Sequence, residues 1–315
     1  METTPVHSLS FSGVVSESKR IVRANYSHFV ALSLFFLPLA FSIVISPTLR
    51  LSGQFFTADH LHNFPPNLHK PLISHLLCIL ILYILAFCAI GTITYSTYHV
   101  FQGKPIKFFT SLKSLIISFF PLVSTSIVIH LLLFCISLSF LIFVGSIVML
   151  AQNLGFVIDH NSIHFMWFSA VVGAILLAIL IYFQVNWSLA FVIAVTESKW
   201  GFDPLMRSSY LTKGMRSVSL SLLLYYGVFC ALMVLVYTNS ALFYLRSWPT
   251  VFLTTLCSYF LMMYMLMSTA SNTVLYMYCK ALHGELAIEI AEQFAYINLP
   301  SDDEKVPLIV TVAAA

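Results

Sequence analysis

The sequence predicts an all-α polytopic membrane protein with six transmembrane helices in three hairpins, each hairpin preceded by a basic cytosolic surface segment. Three observations carry this prediction. Hydrophobic residues make up 59% of the 315-residue chain and charged residues 9%, with a mean hydropathy of +0.93, a composition far outside the range of soluble domains. Six uncharged runs reach the roughly 20 apolar residues that a helix needs to cross a hydrocarbon core of about 30 Å. The basic residues are shared very unevenly among the segments that join those runs.

The runs cover residues 28–47, 73–99, 114–150, 165–196, 217–242 and 249–279, and none contains Asp, Glu, Lys or Arg. Residues 1–27 carry no apolar core ahead of a cleavage site, so the first run is expected to remain as an uncleaved anchor. With alternating connections, twelve Lys and Arg residues fall on one side and only Arg50, Lys70 and Arg246 on the other. The positive-inside rule then places both termini in the cytosol. The sequons at Asn25 and Asn186 should accordingly stay unglycosylated, one in the cytosol and one within a span. The chain divides into a cytosolic amphipathic segment (1–27), a membrane domain (28–279) and a cytosolic acidic helix with its tail (280–315).

Each element has a local reason. Between residues 11 and 29, Phe11, Val14, Val15, Ile21, Val22, Tyr26 and Phe29 share one helical face and Lys19, Arg20 and Arg23 lie opposite, the pattern of an interfacial helix. Residues 104–116 repeat it, with Phe108, Phe109, Leu112, Leu115 and Ile116 on one arc and Lys107 and Ser111 on another. The third such segment, TESKWGFDPLMRSSYLTKGMRS (196–217), places six charged residues inside an otherwise apolar chain. Asp203-Pro204 reads there as an N-cap with proline at the first helical position, and Lys213-Gly214 as a helix stop. A short surface helix with a weak apolar face is expected. FFLPLAFSIVI (35–45) and FFPLVSTSIVI (119–129) also match closely, so the chain reads as three degenerate copies of surface helix plus hairpin.

ESKRIVRANYSHFVALSLFFLP, TESKWGFDPLMRSSYLTKG and LPSDDEKVPLIV together resemble a plant family of uncharacterised six-span membrane proteins, some labelled polyadenylate-binding-protein-binding protein. More distantly, Glu197, Gly201, Arg207, Ser208 and Gly214 are similar to a loop of the membrane domain attached to some bacterial glycerophosphodiester phosphodiesterases. The soluble catalytic barrel of those enzymes has no counterpart in these 315 residues. The resemblance therefore implies fold and setting, and transfers no catalytic residue.

The spans offer few polar groups, chiefly His130, Gln184, Asn186 and Asn272. Such groups either bond across helices for modest stability or mark a substrate path. There is no intramembrane carboxylate or arginine of the kind ion-coupled pumps use, and no Gly-x-Ser-x-Gly, His-Glu-x-x-His or phosphate-cradling loop, so catalysis is not expected. The six cysteines lie in or at the ends of spans without metal spacing. Cys279, beside Lys280, is a candidate for S-acylation at the cytosolic membrane edge, with core filling the alternative. On the opposite face His60, His62, His160 and His164 could bind zinc or copper or titrate near pH 6. Their spacings are common in solvated loops, so no metal or cofactor is assigned.

Residues 281–294 place Leu282, Leu286, Ile290 and Phe294 on one stripe and Glu285, Glu289 and Glu292 on another. This acidic helix is expected to dock onto a basic cytosolic surface supplied by Lys107, Lys113, Arg207, Lys213 and Arg216. Beyond it, Tyr296 and Leu299 fit a tyrosine-based sorting signal, and Ser301 fits an acidic-directed kinase site. The functional expectation is a non-catalytic endomembrane scaffold or trafficking adaptor acting through its cytosolic face, in contact with an anionic leaflet and with cytosolic partners of the tail, and without nucleic-acid contact. The alternatives are a small-solute or lipid transporter or channel, in which the four span residues share a cavity, and a lumenal metal- or pH-responsive protein.

Overall fold

A computed structural model describes residues 10–51, 69–155, 162–244 and 248–286, and among these every regular element is helical. In order they are α1 (Phe11–Ala24), α2 (Tyr26–Ser33), a 3-10 turn (Leu34–Phe36), α3 (Leu37–Leu51), α4 (His69–Phe101), α5 (Phe108–Asn153), α6 (Ile163–Asn186), α7 (Ala190–Thr196), α8 (Asp203–Leu211), α9 (Arg216–Tyr244) and α10 (Trp248–Leu282). Six segments are long and apolar enough to cross a membrane: α2 with α3, α4, α5, α6 with α7, α9, and α10. The protein is a multi-pass membrane protein.

α10 is the hub, packing on α1, α3, α4 and α9 and burying Leu261, Leu266, Ala270, Val274 and Tyr276 completely or nearly so. The core is densest toward the C-terminal end of α10, where α1, α8 and the start of α9 also gather. We call this the basic end, because Arg20, Lys199, Arg207, Lys213 and Arg216 lie there. Buried hydroxyls tie the helices together. Ser271 of α10 lies 2.9 Å from Ser18 of α1 and 2.8 Å from Tyr226 of α9, and Ser96 of α4 joins His28 of α2 at 3.1 Å and Ser111 of α5 at 2.9 Å. Satisfied polar pairs of this kind fix helix registry where lipid supplies no hydrophobic drive.

All three surface segments differ from expectation. α1 keeps its amphipathic face, but Val14, Ile21 and Val22 are buried against α9 and α10 rather than left for lipid. Residues 108–116 are not a separate surface helix either. They open α5, whose 46 residues span about 69 Å if straight. No Gly or Pro occurs between Lys107 and Phe120, so nothing stops the helix from running on into the span. α8 begins at Asp203, one residue earlier than the expected start at Pro204, so that Phe202 and not Asp203 is its N-cap. It buries Leu205, Ser208 and Leu211, with Thr212 just after it, among α5, α6, α7 and α10, while Met206 and Tyr210 stay exposed on its other face. Gly214, at φ +95°, closes the turn after it, and a Cβ there would approach Leu282 Cδ2 to 3.1 Å, so only glycine lets the chain pass beneath α10 without strain. The outer parts of α5 and α6 stay exposed, with Phe134, Leu141, Phe143, Val171 and Leu177 forming a surface suited to lipid.

Candidate functional site

The fourth apolar run reads as one continuous span, yet it is broken. α6 ends at Asn186, α7 starts at Ala190, and Trp187, Ser188 and Leu189 form a turn between them. Backbone groups freed inside a membrane protein need partners, and the polar segment after the span supplies one. Ser208 of α8, fully buried, donates through Oγ to the Asn186 carbonyl at 2.7 Å and accepts from the Leu189 N–H at 3.2 Å. Ser219 of α9 adds a bond to Ser188 Oγ at 2.8 Å. The charged interruption at 196–217 thus returns into the bundle and staples the break.

Beside the break lies a cavity of about 410 Å³ bounded by the 3-10 turn and by parts of α4, α6, α7, α9 and α10. Phe36, Ile90, Trp187, Phe191, Leu222 and Met265 make most of its wall apolar. Among the polar side chains in the wall, Thr94, Gln184, Ser268 and Asn272 have no hydrogen-bond partner among the described residues. Thr94 is fully buried with its hydroxyl unpaired, although a helical threonine can bond back to its own backbone, as Thr92 does to the Cys88 carbonyl at 2.7 Å. Gln184 is exposed and marks the rim. The volume lies within the range of about 300–1,000 Å³ seen in small-molecule sites, and an apolar wall with a few polar groups is their usual make-up.

The four polar span residues do not all converge. Gln184 and Asn272 share this cavity, while Asn186 lines a separate pocket on the far side of Trp187. His130 lies on the exposed flank of α5, its Nδ1 2.8 Å from the Ser126 carbonyl and its Nε2 3.4 Å from the Tyr83 hydroxyl of α4, a cross-helix contact away from the cavity. Cys279, the candidate for S-acylation, is fully buried in the α10 core, three residues before that helix ends at Leu282. His164 is exposed; His60, His62 and His160 lie outside the described residues. Among the described residues no group of three His, Cys, Asp or Glu side chains is placed to hold a metal.

At the basic end, Glu197 and Arg207 form the centre of an ionic cluster. Glu197 receives hydrogen bonds from Tyr276 Oη at 2.9 Å and Arg207 Nε at 3.3 Å, and pairs with Lys199 at 2.9 Å. Arg207 also grips Glu285 through two nitrogens, Nη1 donating at 3.0 Å. Burial pushes the Glu197 carboxyl up, but the bonds from Lys199 and Tyr276 and the charge of Arg207 outweigh it and hold it below its ordinary value. Of the expected basic surface, Arg207 takes Glu285, whereas Lys107 and Lys113 are exposed and Lys213 and Arg216 line the pocket with Asn186. Glu289, Glu292, Tyr296, Leu299 and Ser301 lie outside the described residues. Sequence reasoning missed Thr94 and Tyr276, and it named Glu197 and Ser208 only within a loop pattern, with no structural role assigned to either.

Residues 1–291 match the model of a family described as Domain of unknown function (DUF8558). No curated protein and no solved structure matches the chain.

Proposed function

The chain belongs to the DUF8558 family, and we propose from its cavity that it is a non-catalytic, membrane-embedded binding and transfer protein for a lipid-like amphiphile. The observation that carries this reading is a largely apolar cavity of about 410 Å³ beside a broken span, with Thr94, Gln184 and Asn272 unpartnered in its wall. Apolar walls would take a hydrocarbon chain, and the amides and hydroxyl would take an ester, hydroxyl or amide at its polar end. Broken helices that line a cavity at membrane depth are a recurring device of transport proteins. In this reading both termini are cytosolic and the setting is an endomembrane, supported by the twelve-to-three distribution of basic residues and by the resemblance to the plant six-span family and, distantly, to the phosphodiesterase-linked membrane domain. The scaffold or adaptor reading is favoured by a different observation, the Arg207–Glu285 pair, which anchors the root of the C-terminal tail on the basic end.

Gly227 gives a clean test, because it lines the cavity and a Cβ there meets nothing within 4 Å. Gly227→Leu should fill the cavity and, as leucine is the better helix former by about 1 kcal/mol, leave thermal stability equal or higher. Native mass spectrometry of the full-length protein from mild detergent should show a lipid-sized adduct on the wild type, at least tenfold reduced in the variant. Equal adducts on both proteins would contradict the proposal.

A further inference from the structure

We propose that a second pocket, on the flank of the bundle between α6, α8 and the first turn of α9, binds the headgroup of an anionic phospholipid that carries hydroxyl donors, such as phosphatidylinositol or phosphatidylglycerol. The pocket encloses about 430 Å³ and is lined by Tyr182, Asn186, Trp187, Tyr210, Lys213 and Arg216, among others. Lys213 and Arg216 are exposed and, unlike Arg20, Lys199 and Arg207, have no carboxylate partner among the described residues. Arg216 is the first residue of the 29-residue α9, where a cation opposes the helix dipole. A phosphate seated there would answer both charges and accept from the free N–H groups of the first turn.

Asn186 supplies an independent sign of a ligand. It is only 5% exposed, its Nδ2 donates to the Tyr182 carbonyl at 2.8 Å, and its Oδ1 has no partner. An unpaired buried acceptor costs about 1–3 kcal/mol, and it calls for a donor, which phosphate at neutral pH supplies poorly and an inositol or glycerol hydroxyl supplies well. The source is a lipid rather than a soluble phosphate because of what adjoins the pocket. From Tyr182, the exposed residues Ala178, Ile175 and Val171 follow along one face of α6 for about 16 Å, an apolar track for an acyl chain. Tyr182, Trp187 and Tyr210 are the aromatic types that sit at membrane interfaces, and Lys213 Nζ lies 6.0 Å from the Tyr210 ring centre. This site stands whether or not the larger cavity takes an amphiphile, although Trp187 forms a wall of both.

The test titrates detergent-solubilised full-length protein with phosphatidylinositol, phosphatidylglycerol, phosphatidic acid or phosphatidylcholine, with bound lipid read by native mass spectrometry and inorganic phosphate as competitor. Phosphatidylinositol and phosphatidylglycerol should bind about tenfold or more tightly than phosphatidylcholine, from two basic side chains at the membrane surface. The exposed pair Lys213→Ala/Arg216→Ala should abolish that preference, while Lys104→Ala/Lys113→Ala, elsewhere on the basic end, should keep it. Asn186→Ala should weaken the two hydroxyl-bearing lipids several-fold and leave phosphatidic acid unchanged. Equal binding of phosphatidylcholine, a preference that survives the Lys213/Arg216 change, or equal loss in the Lys104/Lys113 control would overturn the proposal. Displacement of the lipids by equimolar phosphate would overturn the lipid source in favour of a soluble anion.

Discussion

Ser208→Ala should destabilise the membrane domain by about 2–4 kcal/mol, because one hydroxyl serves two backbone groups at the break in the fourth span. The Asn186 carbonyl loses its donor and the Leu189 N–H loses its acceptor, at a position with no exposure. Each buried backbone group left unpaired costs about 1–3 kcal/mol, and the bundle interior gives neither an easy replacement. Ser208→Val should be no better, since it restores bulk without a polar atom. Ser209 is the natural control, as its Oγ bonds only to the Leu205 carbonyl of its own helix, and Ser209→Ala should cost about 0.5 kcal/mol or less. Thermal unfolding of the full-length proteins in one detergent measures both. Equal losses at the two positions would mean that Ser208 does not hold the break.

Arg207→Ala should release the root of the tail and cost about 1–3 kcal/mol, below the usual figure for a fully buried pair because the side chains remain about a quarter exposed. Glu197 would keep Lys199 and Tyr276, whereas Glu285 would lose the partner it has among the described residues. A double-mutant cycle of Arg207→Ala with Glu285→Ala should give a coupling of about 1–2 kcal/mol, and hydrogen exchange over residues 280–286 should quicken in all three variants. Acid should weaken the Glu197 side of the cluster. The folded pKa of Glu197 is depressed, so its contribution is complete above the ordinary carboxylate value and fades as pH falls through the lower folded value. Exchange at 280–286 that ignores Arg207→Ala would show that the pair does not hold the tail.

The spans were legible because charge is so scarce in this chain that its few clusters mark every connection. The grouping of basic residues at one end was legible for the same reason. The break after Asn186 was not, because Trp187, Ser188 and Leu189 include neither Gly nor Pro, and the residue that permits it, Ser208, lies 22 positions away in a segment whose polarity reads as solvent exposure. α5 shows the reverse case. The absence of any breaker between 107 and 120 was visible, but amphipathic periodicity suggested a separate element. For the polar span residues, chemistry was readable and direction was not: His130, Gln184, Asn186 and Asn272 look alike in sequence, yet helix rotation sends only Gln184 and Asn272 to the cavity. Likewise the opposite charges of the tail and the loops announced attraction, while the choice of Arg207 for Glu285 depends on where α10 turns at Gly284.

A photoactivatable phospholipid with its reactive group on the acyl chain tests the proposed cavity most directly. Full-length protein in phosphatidylcholine nanodiscs would be irradiated and the labelled peptides mapped, with Gly227→Leu treated in parallel. The account predicts label on cavity-wall residues such as Trp187, Phe191, Leu222 and Met265, lost in Gly227→Leu while label on the exposed flank of α5, at Phe134 and Leu141, is retained. Label confined to the α5 and α6 flanks in both proteins, with the cavity wall untouched, would contradict it.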